Sequence, residues 1–140
     1  MPEVVAKRLA PLASSLLLIL CQGDANAESS ISSDAAGAVV SAYVQALQSG
    51  DTETLMQLAG GELLARRSTL WRRPGYSQIL AATYAADIPQ IERVASLAGE
   101  EVSVDVRLVM DGEGVSKRYI VAELPSGLRV VDERLVAAGD

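Results

Sequence analysis

The stretch Ala38–Leu64, AVVSAYVQALQSGDTETLMQLAGGELL, decides the fold. Its apolar residues Val40, Tyr43, Val44 and Leu47 recur at helical spacing and stop at Gly50, the residue type most often found just past a helix end. A second helix begins at once. Asp51 or Thr52 can cap it, Glu53 falls in its first turn where a negative charge suits the helix dipole, and Leu55, Met56 and Leu58 form its apolar stripe. The unit is a helical hairpin with one apolar side, and it needs a sheet to cover it.

Downstream of the hairpin, Gly60-Gly61 breaks the second helix. Glu62 to Arg73 reads as a third helix ended by Pro74-Gly75, and Tyr76 to about Ala86 as a fourth ended before Pro89. From Gln90 the period changes. Val102, Val104, Val106, Leu108 and Met110 alternate with Ser103, Asp105, Arg107 and Val109, the two-residue repeat of a strand with one mainly apolar face. Asp111–Gly114 turns the chain, Val115–Leu124 runs back, Pro125-Ser126-Gly127 turns it again, and Leu128–Leu135 closes the run. With Gln90–Leu97 in front, these make four strands joined by short turns, an antiparallel meander. Helices first and strands afterwards predict an α+β domain over residues 34–140, its helices covering one face of the sheet.

Upstream, Asp34 or Ser33 is expected to cap the first helix, and Glu28–Ser33 reads as a polar tether. Residues 1–27 read as a secretory signal peptide: Lys7-Arg8, an apolar run from Leu9 to Leu20, and the small-x-small site Ala25-Asn26-Ala27. The run is broken by Pro11, Ser14 and Ser15, so no transmembrane span is expected after cleavage. Leu18-Ile19-Leu20-Cys21 resembles a lipobox but has Leu20 where a small residue belongs, which makes a lipoprotein through Cys21 the minor alternative. The expected location is the periplasm or the cell exterior.

Cleavage leaves 113 residues with 10 basic and 16 acidic side chains, so the net charge of −6 is unchanged. That balance argues against nucleic acid as a partner. The mature chain has neither histidine nor cysteine, which removes the commonest general base, the common zinc and haem ligands, and thiol chemistry. No phosphate-binding glycine loop, dinucleotide fingerprint or nucleophile elbow is present. No cofactor and no metal are expected, Asp111-Gly112-Glu113-Gly114 reading as a hairpin turn and not a calcium loop.

The order of elements, and above all Ala38-Val39-Val40, Tyr43, Ala46-Leu47, Gly50-Asp51 and Leu58, resembles the nuclear transport factor-2-like superfamily, which includes ketosteroid isomerases and polyketide-cyclase-like proteins. The resemblance implies a cone-shaped, cystatin-like roll in which a curved four-stranded sheet wraps around the helices and leaves a pocket at the open end. It also places Tyr43 where the isomerases carry an oxyanion tyrosine. The other catalytic positions depart from the pattern: ungapped continuation puts Arg66 and Arg67 at the acidic pair, and the partner acid falls near Tyr119 or Ile120. Catalytic residues are therefore expected to be absent. Asp87 and Asp105, the other carboxylates near such a pocket, read as loop or solvent-facing charges.

With phenylalanine absent, Tyr43, Trp71, Tyr76, Tyr84 and Tyr119 must supply the ring packing of the core, Tyr43 sending its hydroxyl to a partner at the rim. The same five are the candidate ligand contacts. Arg66, Arg67, Arg72 and Arg73, four arginines in eight residues beside Trp71, form either a solvated helix face paired with nearby acids or a grip for an anion or an acidic partner. Lys117 follows Ser116, but the two point to opposite faces of a strand, which leaves a Ser–Lys pair without support. The expected function is an exported, non-catalytic binding or accessory protein of the bacterial cell envelope. It would use the cone pocket or the arginine-bearing helix to bind a small apolar or anionic ligand, or another envelope protein. A structural subunit that oligomerises through its sheet is one alternative, and an isomerase- or cyclase-like enzyme is another.

Overall fold

The computed structural model describes residues 31–84 and 87–136. The signal-peptide reading and Cys21 lie outside the described residues. Four helices, α1 (Ser33–Ser49), α2 (Thr52–Leu58), α3 (Gly61–Trp71) and α4 (Tyr76–Thr83), precede four strands, β1 (Gln90–Leu97), β2 (Glu101–Met110), β3 (Glu113–Leu124) and β4 (Gly127–Leu135). The strands form one antiparallel sheet in the order β1-β2-β3-β4, and the helices pack on one face of it, an α+β fold as the element order predicts.

Helix α1 is central because its buried residues Ala36, Val40, Tyr43, Val44 and Leu47 recur at three- and four-residue steps and meet all four strands. Gly37 lies on the same face, where a Cβ would come within 3.3 Å of Ile91 Cδ1, so the missing side chain lets β1 approach the helix. The N-cap is Ser32, one residue earlier than expected: its hydroxyl accepts from the Ala35 N–H at 3.0 Å, and Asp34 falls in the first turn. Ile31 is buried in the core, so the tether does not extend to Ser33; residues 31–33 belong to the domain.

Gly50 ends α1 in the left-handed region (φ 72°), and the Asp51 N–H reaches back to the Ala46 carbonyl at 2.9 Å. Asp51 caps α2 by accepting from the Thr54 N–H and hydroxyl at 3.2 and 2.6 Å. At the end of α2, Ala59 forms a bridge to Val130, and the Gly60 N–H donates to the Val130 carbonyl at 2.9 Å, so the helical hairpin is tied to β4 by main chain. Helix α4 stops at Thr83, three residues before the expected end. Its final carbonyl accepts from the Asp111 N–H at 2.7 Å, and Tyr84 bridges to Met110, which pins the helix end to the β2–β3 hairpin. That hairpin turns on Asp111-Gly112 with both residues at positive φ (55° and 82°), the conformation whose twist matches the flanking strands.

Candidate functional site

The inner face of the sheet, toward the helices, carries Val102, Val104 and Val106 from β2 and Val121 from β3, and apolar burial there needs no explanation beyond packing. Lys117 is different. It shares the inner face with Tyr119 and Val121 because alternate strand residues point the same way, and it is buried. Its partner comes from β4 by an irregularity. Val130 pairs with Val121 on the inner face, but Asp132 pairs with Ile120, so Val131 is an extra residue and the alternation flips beyond it. Glu133, opposite Tyr119, therefore turns inward. Unbroken alternation from Val130 would have put Asp132 and Arg134 there instead.

The Lys117 ammonium donates to Tyr84 Oη at 3.1 Å and to Glu133 Oε1 at 3.2 Å. It also stands 5.4 Å from the ring centroids of both Tyr84 and Tyr119, within cation–π range. Arg67, from α3, places Nη2 2.9 Å from Glu133 Oε2. Each carboxylate oxygen thus faces its own cation. Tyr43, from α1, meets Tyr119 edge-on with centroids 5.5 Å apart and Trp71 at 6.4 Å. Tyr43 and Tyr119 are fully buried, while Trp71 and Tyr84 keep 4% and 8% of their surface, so the latter two are the outermost aromatics of the group.

Three buried polar atoms of this group have no hydrogen-bond partner among the described residues: Tyr43 Oη, Tyr119 Oη and Arg67 Nε. Instead of reaching a partner at the rim, the Tyr43 hydroxyl stays inside. Burial pushes its pKa far above the ordinary tyrosine range, Glu133 and Tyr84 push it further, and Arg67 and Arg66 oppose the shift. Tyr119 is raised in the same way, by burial first and then by Glu133, Tyr84 and Tyr43. Both phenols are therefore neutral O–H donors at physiological pH.

Of the five aromatics read as ligand contacts, four, Tyr43, Trp71, Tyr84 and Tyr119, are brought together here. Tyr76 is half-buried at the start of α4 and packs against the core from outside the group. The arginine cluster divides. Helix α3 ends at Trp71, so Arg73 does not return to the face of Arg66 as a longer helix would require. Arg66 pairs with Asp132 at 3.3 Å in the open, Arg67 reaches the buried Glu133, and Arg72 and Arg73 are exposed. Asp105, expected to face solvent, is buried on the outer sheet face, where Arg118 holds it with two bonds of 2.7 and 3.0 Å.

Two shallow clefts lie elsewhere. One of about 300 Å³ is lined by Glu62, Glu101, Ile120, Val131 and Asp132, and one of about 170 Å³ by Asp87, Ile88 and Arg107 among others. Among the described residues no group of acidic side chains is placed to hold a metal ion, and no helix is long and apolar enough to cross a membrane.

No family model and no curated protein matches this sequence. One solved structure does. The crystal structure of the intermembrane space region of the chloroplast protein ARC6 aligns at a TM-score of 0.51 with 17% identity, over 77% of this chain and 98% of that one. At that identity the likeness supports the α+β fold and nothing about activity.

Sequence reading missed Lys117 and Glu133 as members of the site. For Lys117 a signal existed: residues 117, 119 and 121 share one strand face, and a lysine in that company is out of place unless paired. Glu133 carried no such signal, because its orientation depends on the bulge at Val131.

Proposed function

We propose that this chain is an exported, non-catalytic binding protein of the cell envelope, a distant member of the nuclear transport factor-2-like superfamily that receives a small ligand on the helix-covered face of its sheet. One observation carries the reading: α1, β3, β4 and the Tyr84 segment send Tyr43, Lys117, Tyr119, Glu133 and Tyr84 into one largely buried polar group, which the partly exposed Arg67 of α3 closes, with two hydroxyls unpartnered among the described residues. A core serving stability alone gains nothing from this arrangement, since a buried polar group without a partner is costly and a buried ion pair is often no better than an apolar replacement.

Catalysis is the weaker reading on geometric grounds. Both Glu133 oxygens are taken by cations, which leaves that carboxylate unfit to take a substrate proton, and among the described residues Tyr43 lacks the acidic partner that an isomerase site requires. The arginine helix is also weaker as a docking surface, because Arg66 and Arg67 tie α3 to β4. Assembly through the outer sheet face gains little, since Ser103, Asp105 and Ile120 are already buried within the single chain.

The test is native mass spectrometry of the protein purified from its own host. A non-covalent small-molecule adduct that disappears in a Lys117→Met, Glu133→Leu variant supports the reading. A bare protein, or an adduct indifferent to those substitutions, overturns it in favour of an interaction module.

A further inference from the structure

The outer face of the sheet carries a row of charge that the inner-face group does not use. Register sets Arg93 of β1 opposite Asp105 of β2, Asp105 opposite Arg118 of β3, and Arg118 opposite Arg134 of β4, so three arginines and one acid lie in one line across all four strands. Arg107 joins them on the same face, two residues further along β2. Arg118 is held by Asp105, whereas Arg93, Arg107 and Arg134 are exposed and have no side-chain hydrogen bond or ion pair among the described residues. The other acid of this band is Glu92, the extra residue of the β1 irregularity, which accepts from the Ser116 hydroxyl at 2.8 Å. Four arginines against two acids leave two positive charges in excess, in a chain whose net charge is −6. Like charges set directly opposite on neighbouring strands, as Arg118 and Arg134 are, cost stability, so the fold's own needs do not explain the row.

We infer that this row docks an extended acidic segment of a partner protein, laid across the strands so that alternate carboxylates meet Arg93 and Arg134. The surface is separate from the group on the helix-covered face and stands or falls independently of it. Ser103, Asp105 and Ile120 leave the middle of the outer face buried, so what it offers a partner is charge and not apolar area. The spacing fits. Strands lie about 4.8 Å apart, which sets the backbones at Arg93 and Arg134 about 14 Å apart, and in an extended chain acids at i and i+4 are separated by about 13 Å. The band is also narrow. On one side lie Asp132 and Glu101, which with Glu62 line the larger cleft, and on the other the exposed Asp111 and Glu113 of the β2–β3 hairpin. A single extended segment touches the arginines alone, whereas an anionic membrane or a nucleic acid would press its charge on those acids as well. Guanidinium groups suit carboxylates because they donate two parallel N–H bonds. Contact made of exposed charge gives a weak and salt-sensitive complex.

The test is the anisotropy of a synthetic heptapeptide with three glutamates at alternate positions and a neutral coumarin label, titrated with the protein recovered from its host. Saturable binding that weakens about tenfold between about 20 and about 200 mM salt is the expected result. Arg93→Gln with Arg134→Gln should abolish it at unchanged circular dichroism. Arg72→Gln with Arg73→Gln, which removes the same charge from the exposed turn after α3, should leave it intact. An isomer of the peptide with its three glutamates adjacent should bind more weakly. Equal loss in both double variants overturns the site in favour of non-specific attraction. Equal binding of the isomer overturns the crossing geometry, and tighter binding to phosphatidylglycerol vesicles or to a single-stranded oligonucleotide overturns the protein partner. No binding of the peptide at low salt, with the fold intact, sinks the proposal.

Discussion

Removing the hydroxyl from Tyr43 or Tyr119 should stabilise the protein. Each ring is fully buried, each hydroxyl is without a partner among the described residues, and phenylalanine keeps the ring contacts at 5.5 and 6.4 Å. A buried hydroxyl with no hydrogen bond costs about 1–3 kcal/mol of desolvation that the unfolded chain does not suffer. The phenylalanine variant removes that cost, and it leaves a gap of only one oxygen atom. The expected gain is about 1 kcal/mol for each single variant, or roughly 4 °C in Tm for a domain near 100 residues. The rings touch, so the double variant need not equal the sum of the singles. Urea denaturation of the wild type, both singles and the double reads the effect as a shift in midpoint at constant slope. A loss of 1 kcal/mol or more in both singles would refute the reasoning, since it would mean that each hydroxyl is satisfied in the folded protein.

The buried ion pair makes the opposite prediction: Lys117→Met leaves Glu133 with Arg67 alone and should cost about 3–5 kcal/mol, while adding Glu133→Leu should restore much of it, read by the same urea midpoints. The arginines of α3 should separate by position. Arg72→Glu with Arg73→Glu should change stability by no more than about 0.5 kcal/mol, whereas Arg67→Glu sets two carboxylates together and should destabilise by about 2 kcal/mol or more in thermal melts. Gly50→Ala should be costly for two reasons, the positive φ, worth about 1–2 kcal/mol, and a Cβ that runs into the Ser77 carbonyl of α4. A melting temperature within 2 °C of wild type would show that the α1–α2 turn can relax around it.

The α+β class and the order of elements were legible in the chain because they rest on local periodicity. Val40, Tyr43, Val44 and Leu47 mark a helix face, and Val102, Val104, Val106 and Leu108 mark a strand face, whatever surrounds them. Gly50 and Asp111-Gly112 marked turns because their conformations are read from residue type. The burial of Tyr43, Trp71, Tyr84 and Tyr119 followed from composition, since a chain without phenylalanine has few other rings to pack. Their convergence on one charged group did not. Which acid meets Lys117 depends on a single extra residue in β4, and a bulge is a property of how two strands pair, not of the residues next to it in sequence. The split of the arginines likewise depends on where α3 ends relative to β4. Periodicity sets which side of an element is apolar, because that is a property of neighbouring residues. Register, bulges and helix ends set which charges face each other, because pairing is a property of residues far apart in sequence that only packing brings within 3 Å.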